Sequence, residues 1–212
     1  MRFRVLLVAV AGLLTVGAAM ATTDDATRDC MGGEVSKKIA GCTAMLDAPG
    51  LSEGQRSVAF GMRALAYSLL GMFEKSIVDY DEALKIRPDF PLALNNRAWA
   101  YYKLGRGSEG INDVDLALKL SPASPYALDT RAHIRQSMGN AEGALDDYEM
   151  AIVIGGPTIV RMYQCGLRAM SRYDGPLDGV YTQLLQQALR TCTKDRHCDP
   201  VPSDSECRPE VS

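Results

Sequence analysis

The stretch "PLALNNRAWAYYKLGRGSEGINDVDLALKLSPAS", residues 91–124, decides the fold because it recurs at a fixed period on both sides. Residues 57–90 and 125–158 align with it without gaps at 34 residues, and the first of these shares 14 of its 34 positions. A fixed period of this length is the signature of an architecture built by stacking one supersecondary unit. Six positions are identical in all three units: Ala59/Ala93/Ala127, Arg63/Arg97/Arg131, Ala64/Ala98/Ala132, Gly71/Gly105/Gly139, Asp79/Asp113/Asp147 and Ala83/Ala117/Ala151.

Each unit is predicted to be a pair of antiparallel helices. Apolar residues at helical spacing flank a glycine-containing turn, at Gly71 in the first unit. The small side chains of Ala64 and Ala83 allow the two helices to approach closely. Pro88 and Pro122 end the second helix of their units, because proline cannot continue a helix. The apolar face of one hairpin can be covered only by the next hairpin, so we expect an all-α, right-handed solenoid.

The period, the small residues and the terminal proline together resemble the tetratricopeptide repeat (TPR). Tyr67/Tyr101, Gly71/Gly105, Ala83/Ala117 and Pro88/Pro122 stand at the signature positions of that family. The third unit departs from the signature at Arg135 and at Gly156-Pro157. The resemblance implies a concave groove, lined by the first helix of each unit, that binds an extended peptide or a partner helix.

The groove implied by the resemblance has a defined set of lining residues. In the first unit these are Val58, Met62, Leu65 and Leu69; in the later units they are Asn95, Asn96, Trp99, Tyr102, Lys103, Asp129, His133 and Gln136. Asn96 and Lys103 would hold a peptide backbone and a carboxylate, and Trp99 and Tyr102 would be aromatic anchors. The alternative for Trp99 is that it packs between helices. His133 is expected to be an exposed polar residue of the groove.

The repeated charges suggest a structural role. Asp79, Asp113 and Asp147 recur at one position of each unit, as do Arg63, Arg97 and Arg131, so we expect ion pairs within or between the units. The chain contains only two histidines, His133 and His197, and no H-E-x-x-H, G-x-S-x-G or P-loop motif. We therefore predict a binding protein without enzymatic activity or cofactor.

The N-terminal residues have the pattern of a secretory signal peptide. Arg2 and Arg4 precede an apolar run, and Ala19-Met20-Ala21 supplies small residues for cleavage after Ala21. A membrane anchor is the alternative. The net charge of −3 and the absence of Lys/Arg runs argue against nucleic-acid binding. The expected location is the periplasm, with no membrane association after cleavage.

Six cysteines follow the signal pattern, and an even number in an exported chain indicates disulfides. Neighbours in sequence suggest the pairs Cys30–Cys42, Cys165–Cys192 and Cys198–Cys207. A metal site of Cys192, His197, Cys198 and Cys207 is a weaker alternative, because no C-x-x-C or H-x-x-x-H spacing is present. Cys30–Cys42 would join the two short helices of an atypical N-terminal hairpin, residues 22–56, with a turn at Gly32-Gly33 and Ser52 and Gln55 as a capping box.

After Thr158 the repeat pattern changes. Two helices are predicted, with Leu184, Leu185, Ala188 and Leu189 on the buried side of the second, and between them lies the loop from Tyr173 to Tyr181. With Gln164 and Leu167, this loop is similar to a helical peptidoglycan-binding module, although Thr182 stands where that family has glycine.

The predicted organisation therefore has five parts: a signal peptide (1–21), the N-terminal hairpin (22–56), three TPR units (57–158), a C-terminal helical cap (159–194) and a poorly packed, disulfide-looped tail (195–212). We expect a periplasmic adaptor that binds a protein or peptide in the groove. The alternative is a cell-wall-associated protein whose C-terminal helices contact peptidoglycan.

Overall fold

A computed structural model describes residues 24–201, and over this range the ordered elements are all helices. The predicted signal peptide and Cys207 lie outside the described residues. The helices are α1 (24–31), α2 (Val35–Asp47), α3 (Glu53–Leu69), α4 (Phe73–Ile86), α5 (Pro91–Lys103), α6 (Gly107–Leu120), α7 (Pro125–Ser137), α8 (Ala141–Ala169) and α9 (Gln183–Cys192).

Three successive helical hairpins form the middle of the chain, as the repeat predicts. They are α3 with α4, α5 with α6, and α7 with the first half of α8. The turn glycines Gly71, Gly105 and Gly139 have φ of +71°, +72° and +84°, a region that side chains other than glycine seldom enter. This backbone requirement explains why glycine recurs every 34 residues.

Small residues occupy the interior positions where the paired helices meet. Ala64, Ala83, Ala98 and Ala132 are buried completely. At Gly110 the two helices are closer still, because a Cβ at this position would lie 2.9 Å from the backbone of Ala98. The recurring alanines therefore act as predicted: they bring the two helices of a hairpin into contact.

The repeated Arg and Asp residues join helices within a unit and also join neighbouring units. Arg97 donates two hydrogen bonds to the Asp113 carboxylate of its own unit, at 2.7 and 2.8 Å, and a third to Asp81 of the preceding unit at 2.7 Å. Arg131 makes the same set of contacts with Asp147 and Asp115. The expected ion pairs are confirmed, and they are both internal to a repeat and between repeats.

The N-terminal hairpin, α1 and α2, covers the open side of the first unit. The disulfide Cys30–Cys42 joins its two helices, as predicted. Ser52 and Gln55 form the expected capping box at the start of α3. Arg63 extends the Arg–Asp pattern into this hairpin, because it binds Asp79 and donates to Thr43 on α2 at 3.0 Å.

Helix α8 belongs to two structural units. Gly156 interrupts it with φ +59° and ψ −148°, just before Pro157, and the second half packs with α9. Tyr163, Leu167, Leu185 and Leu189 fill the interior between them. The expectation that Leu184 is buried is wrong, since its side chain is 46% exposed. The buried stripe of α9 contains Leu185, Ala188, Leu189 and Cys192, and residue 184 lies one position outside it.

Two of the predicted disulfide pairs are wrong. Cys192 bonds to Cys198, so neither the Cys165–Cys192 nor the Cys198–Cys207 pair forms. Two turns follow α9, with hydrogen bonds from Asp195 N to Cys192 O and from Cys198 N to Asp195 O, and they return the chain to the helix end. The Cα atoms of Cys192 and Cys198 are then 5.2 Å apart. Cys165 is disulfide-bonded as well.

Candidate functional site

The residues that follow α9 lie on the concave face of the third unit. We call residues 193–201 the strap. The side-chain amide of Gln136 donates to the carbonyl oxygens of Cys192, Asp195 and Cys198, at 3.1, 2.7 and 2.6 Å. Its oxygen accepts a hydrogen bond from the Tyr148 hydroxyl at 3.1 Å. Gln136 is thereby buried, and the expectation of a poorly packed tail is wrong for the strap.

His133 anchors the strap through a charged contact. Its Nε2 lies 2.8 Å from Oδ1 of Asp199, and its Nδ1 lies 2.8 Å from the main-chain oxygen of Asp129. Both partners are hydrogen-bond acceptors, so this geometry favours a ring with a proton on each nitrogen. Burial alone would lower the pKa of His133, but the charges of Asp129 and Asp199 outweigh it and raise the pKa to about 9.

The carboxylates around His133 complete a buried polar cluster. Tyr163 donates to Oδ1 of Asp129 at 2.7 Å. Burial favours the neutral form of Asp199, but the hydrogen bond and charge of His133 prevail, and the pKa of Asp199 is lowered. The expectation that Asp129, His133 and Gln136 line an exposed surface is therefore corrected: the strap covers this part of the groove, and His133 is only 1% exposed.

The charged state of His133 makes stability depend on pH. The pKa of His133 is about 9 in the folded chain, compared with an unperturbed value of about 6.5, so its contribution is complete below pH 6.5 and disappears as pH rises through 9. The free energy of unfolding should fall by roughly 3 kcal/mol over this interval. Urea unfolding at several pH values measures the effect. The same fall in a His133→Gln variant would contradict the assignment to this ring.

A row of aromatic rings runs from the second unit through the third unit to the second half of α8. Trp99, Tyr102, His133, Tyr148 and Tyr163 follow one another with centroid separations of 5.1 to 5.4 Å. The Trp99 ring also meets His133 edge-on at 5.3 Å, and Lys103 Nζ lies 5.3 Å from its centre. Trp99 is partly buried, so it both packs between helices and presents surface to solvent.

An open cleft of about 490 Å³ remains on the concave side of the first two units. Of the predicted groove residues it contains Leu65, Leu69, Asn96, Trp99 and Lys103. Ser68, Gly71, Phe73, Asp199 and Val201 complete its lining. Ser68 Oγ is buried in this lining. The cleft thus combines an apolar floor with a few polar groups, which is typical of binding sites.

The other predicted groove residues lie elsewhere. Asn95 lines a separate recess with Phe90, Leu92 and Tyr126. Tyr102 packs partly against the core of the third unit. Sequence reasoning missed Ser68 and Phe73, which a search of each repeat for surface neighbours of Leu69 would have found. It also missed Asp199 and Val201, for which the repeat contains no signal because the strap is not a repeated element.

The loop from Tyr173 to Tyr181 is held to α8 mainly by Gln164. Gln164 Nε2 donates to Asp178 Oδ1 at 3.0 Å and to the Val180 carbonyl at 3.2 Å. Its Oε1 accepts from Gly179 N at 2.9 Å. The Tyr173 hydroxyl donates to the Pro176 carbonyl at 3.0 Å. Apolar side chains remain exposed on the same cap: Leu177, Val180, Tyr181 and Leu184.

Metal sites and membrane-spanning helices are absent from residues 24–201. Within this range no group of His, Cys, Asp or Glu side chains is arranged to hold a metal ion. In the same part of the chain, no helix combines the length and the apolar character needed to cross a membrane.

These features define an all-α solenoid built from TPR-type hairpins. Residues 64–105 match the family model described as TPR repeat. This match spans most of the first unit and the first helix of the second, where the recurring alanines, Arg97 and the turn glycines stand.

Solved structures share this fold. A MamA protein superposes with a TM-score of 0.58 at 17% identity, covering 84% of this chain and 90% of its own. MamA from Desulfovibrio magneticus RS-1 gives 0.57 at 13% identity, with 69% and 80% covered. A tetratricopeptide repeat protein from Parabacteroides merdae gives 0.53 at 22%, with 76% and 64% covered. No curated protein is matched by the sequence. The low identities relate these chains by fold alone.

Proposed function

We propose that this protein is a non-enzymatic adaptor that binds a peptide or protein segment in the open cleft of its first two units. The observation that carries the proposal is the cleft itself, a concavity of about 490 Å³ on the inner face of a TPR-type solenoid. Leu69, which forms one side of it, is 49% exposed. Partly exposed apolar surface in a concave site is favourable for burying a partner's side chain.

The cleft chemistry suits an extended segment with one apolar anchor. Leu65, Leu69 and Phe73 would surround an apolar side chain of the partner. Asn96 offers an amide to the main chain, and Lys103, which is exposed, offers a cation to a carboxylate. Trp99 lies between these groups, where it contributes a large apolar surface.

Site-specific crosslinking in cells tests this proposal. A photoreactive amino acid at position 103 should give a discrete adduct with a partner. Leu69→Glu should reduce the adduct at least tenfold, because a carboxylate replaces apolar contact area in the cleft. Val78→Glu is the matched control: Val78 is 61% exposed, lies on α4 and is not part of the cleft lining. Equal losses in the two variants, or an adduct that Leu69→Glu leaves unchanged, would exclude the cleft as the site.

We also propose that the protein is exported to the periplasm. The pattern of residues 1–21 supports this, and so do the disulfides Cys30–Cys42 and Cys192–Cys198, since disulfides persist in oxidising compartments. Cell fractionation with N-terminal sequencing of the mature chain tests the proposal. A cytoplasmic protein that retains Met1 would contradict it.

A second candidate function is contact with peptidoglycan through the C-terminal cap. The exposed Val180 and Tyr181 on the loop support it. Co-sedimentation with purified sacculi, compared with a Val180→Ser/Tyr181→Ala variant, provides the test. If the variant co-sedimented with sacculi as fully as the unchanged protein, the result would count against this surface.

A further inference from the structure

The strap makes the kind of contacts that a bound peptide makes with a receptor. Its polar contacts with the third unit use main-chain carbonyls, which Gln136 binds, and the Asp199 carboxylate, which His133 binds; outside this unit, Arg172 pairs with the Asp195 carboxylate. Most strap residues before position 198 direct their side chains to solvent: Lys194, Arg196 and His197 are exposed. The third unit therefore recognises the strap through its backbone and a short run of side chains near its end.

That run is Asp199-Pro200-Val201, and the three residues have different environments. The Asp199 carboxylate meets the ring of His133 at 2.8 Å. Pro200 is fully buried, and Val201 packs against the core of the third unit. Each position thus meets a surface of matching chemistry: a cation, a close-packed apolar site and an apolar edge. A carboxylate beside an imidazolium, followed by buried apolar groups, sets a defined preference for ligand sequence.

The strap also divides a single concave surface into two parts. Asp199 and Val201 belong to the lining of the open cleft, and Asp199 is within electrostatic reach of Lys103. Removal of residues 199–201 would therefore join the cleft of the first two units to the face around Asp129 and His133. The joined groove would extend over all three units.

We propose that the third-unit face is a second peptide site, selective for an acidic residue followed by proline and an apolar residue, and that the strap occupies it as a built-in competitor. A partner segment with this chemistry displaces residues 199–201, while the Cys192–Cys198 disulfide keeps residues 193–198 at the end of α9. The inference rests on the proposed peptide-binding function, and it adds both the ligand chemistry and the form of regulation.

A peptide that copies the strap tests the proposal on the full-length, oxidised chain. The probe is a fluorescent, end-blocked peptide of residues 196–201 with serine at the position of Cys198, and its binding is measured by anisotropy. Asp199→Ala removes the carboxylate of the strap and leaves the receptor face intact. We expect this variant to bind the probe at least tenfold more tightly than the unchanged protein. A probe with asparagine at the aspartate position should lose most of that gain.

A second substitution identifies the surface that binds the probe. In the Asp199→Ala background, His133→Gln should weaken probe binding at least tenfold, because the cation that faces the aspartate of the probe is lost. Arg106→Ala, at an exposed ion pair with Glu109, should leave it unchanged. Hydrogen exchange over residues 199–201 should be faster in Asp199→Ala than in the unchanged protein.

The remaining outcomes overturn the proposal. Faster exchange of the strap without probe binding would show that the exposed face is not a peptide site. An unchanged exchange rate would show that Asp199 does not hold the strap in place. Equal probe binding with and without Asp199→Ala would place the probe elsewhere. The crosslink at position 103 is measured separately from probe binding. Failure of the probe to bind therefore leaves the cleft proposal standing, and absence of the crosslink does not change how probe binding is interpreted.

Discussion

Replacing Arg97 by alanine is expected to lower the free energy of unfolding by about 3 kcal/mol, because it leaves a partly buried carboxylate without its cation. Arg97 binds both oxygens of Asp113, whose side chain is only 14% exposed, and it also binds Asp81 of the preceding unit. The loss should also reduce cooperativity between the first and second units, since a repeat protein is stabilised by interfaces between neighbours. Urea unfolding monitored by circular dichroism measures both the midpoint and the slope.

Two further variants show whether the geometry of Arg97 is responsible. Arg106→Ala removes an exposed ion pair with Glu109 and should change the stability by less than about 0.5 kcal/mol. Arg97→Lys keeps the charge but cannot form the bidentate contact with Asp113. Its free energy of unfolding should therefore lie between those of Arg97→Ala and the unchanged protein. If Arg97→Ala were as mild as Arg106→Ala, the Arg–Asp contacts would have no structural importance.

Replacing His133 by alanine is also expected to lower the free energy of unfolding by about 3 kcal/mol. The destabilisation should be concentrated at the strap and the end of α9. The Asp129 and Asp199 carboxylates lose the cation between them, and a cavity opens in the row of aromatic rings. We expect hydrogen exchange to increase first in residues 193–201 and in the adjoining end of α9, while α3 and α4 remain protected.

A His133→Gln variant separates the charge of the ring from its hydrogen bond. Glutamine can donate to Asp199 but carries no charge, so we expect a smaller loss of stability at pH 7 than with alanine. Trp99, the single tryptophan, is 5.3 Å from the His133 ring and provides an internal fluorescence signal for the same transition. Equal exchange throughout the chain in the alanine variant would argue against a local role in holding the strap.

The fold was predictable from the sequence because the information is local and repeated. Glycine at Gly71, Gly105 and Gly139 is required by a positive φ, and alanine at Ala64 and Ala98 is required by the distance between helices. The ion pairs of Arg97 were predictable for the same reason, since a charge that recurs with the fold must meet the same partner in each unit. The boundary between the units and the cap at residue 158 stays a prediction.

The part of the groove that the strap covers could not be predicted from the repeat. Gln136 and Cys198 are 62 residues apart in sequence, and no periodic signal relates them. The disulfide pairs predicted from the order of the cysteines were wrong for a related reason. Cys192 pairs with Cys198 because two turns after α9 reverse the chain. The number of turns cannot be read from the spacing of the cysteines.

The sequence by itself determined the repeated hairpins, the contacts between their helices and the residue types on the inner face. It did so because each depends on neighbours within a single period or between adjacent periods. The tertiary structure alone decided which part of that inner face is open. The strap returns from the end of α9 to the third unit, where Asp199 reaches His133 and Pro200 becomes buried. That contact forms between distant segments, so it depends on where the whole chain places them.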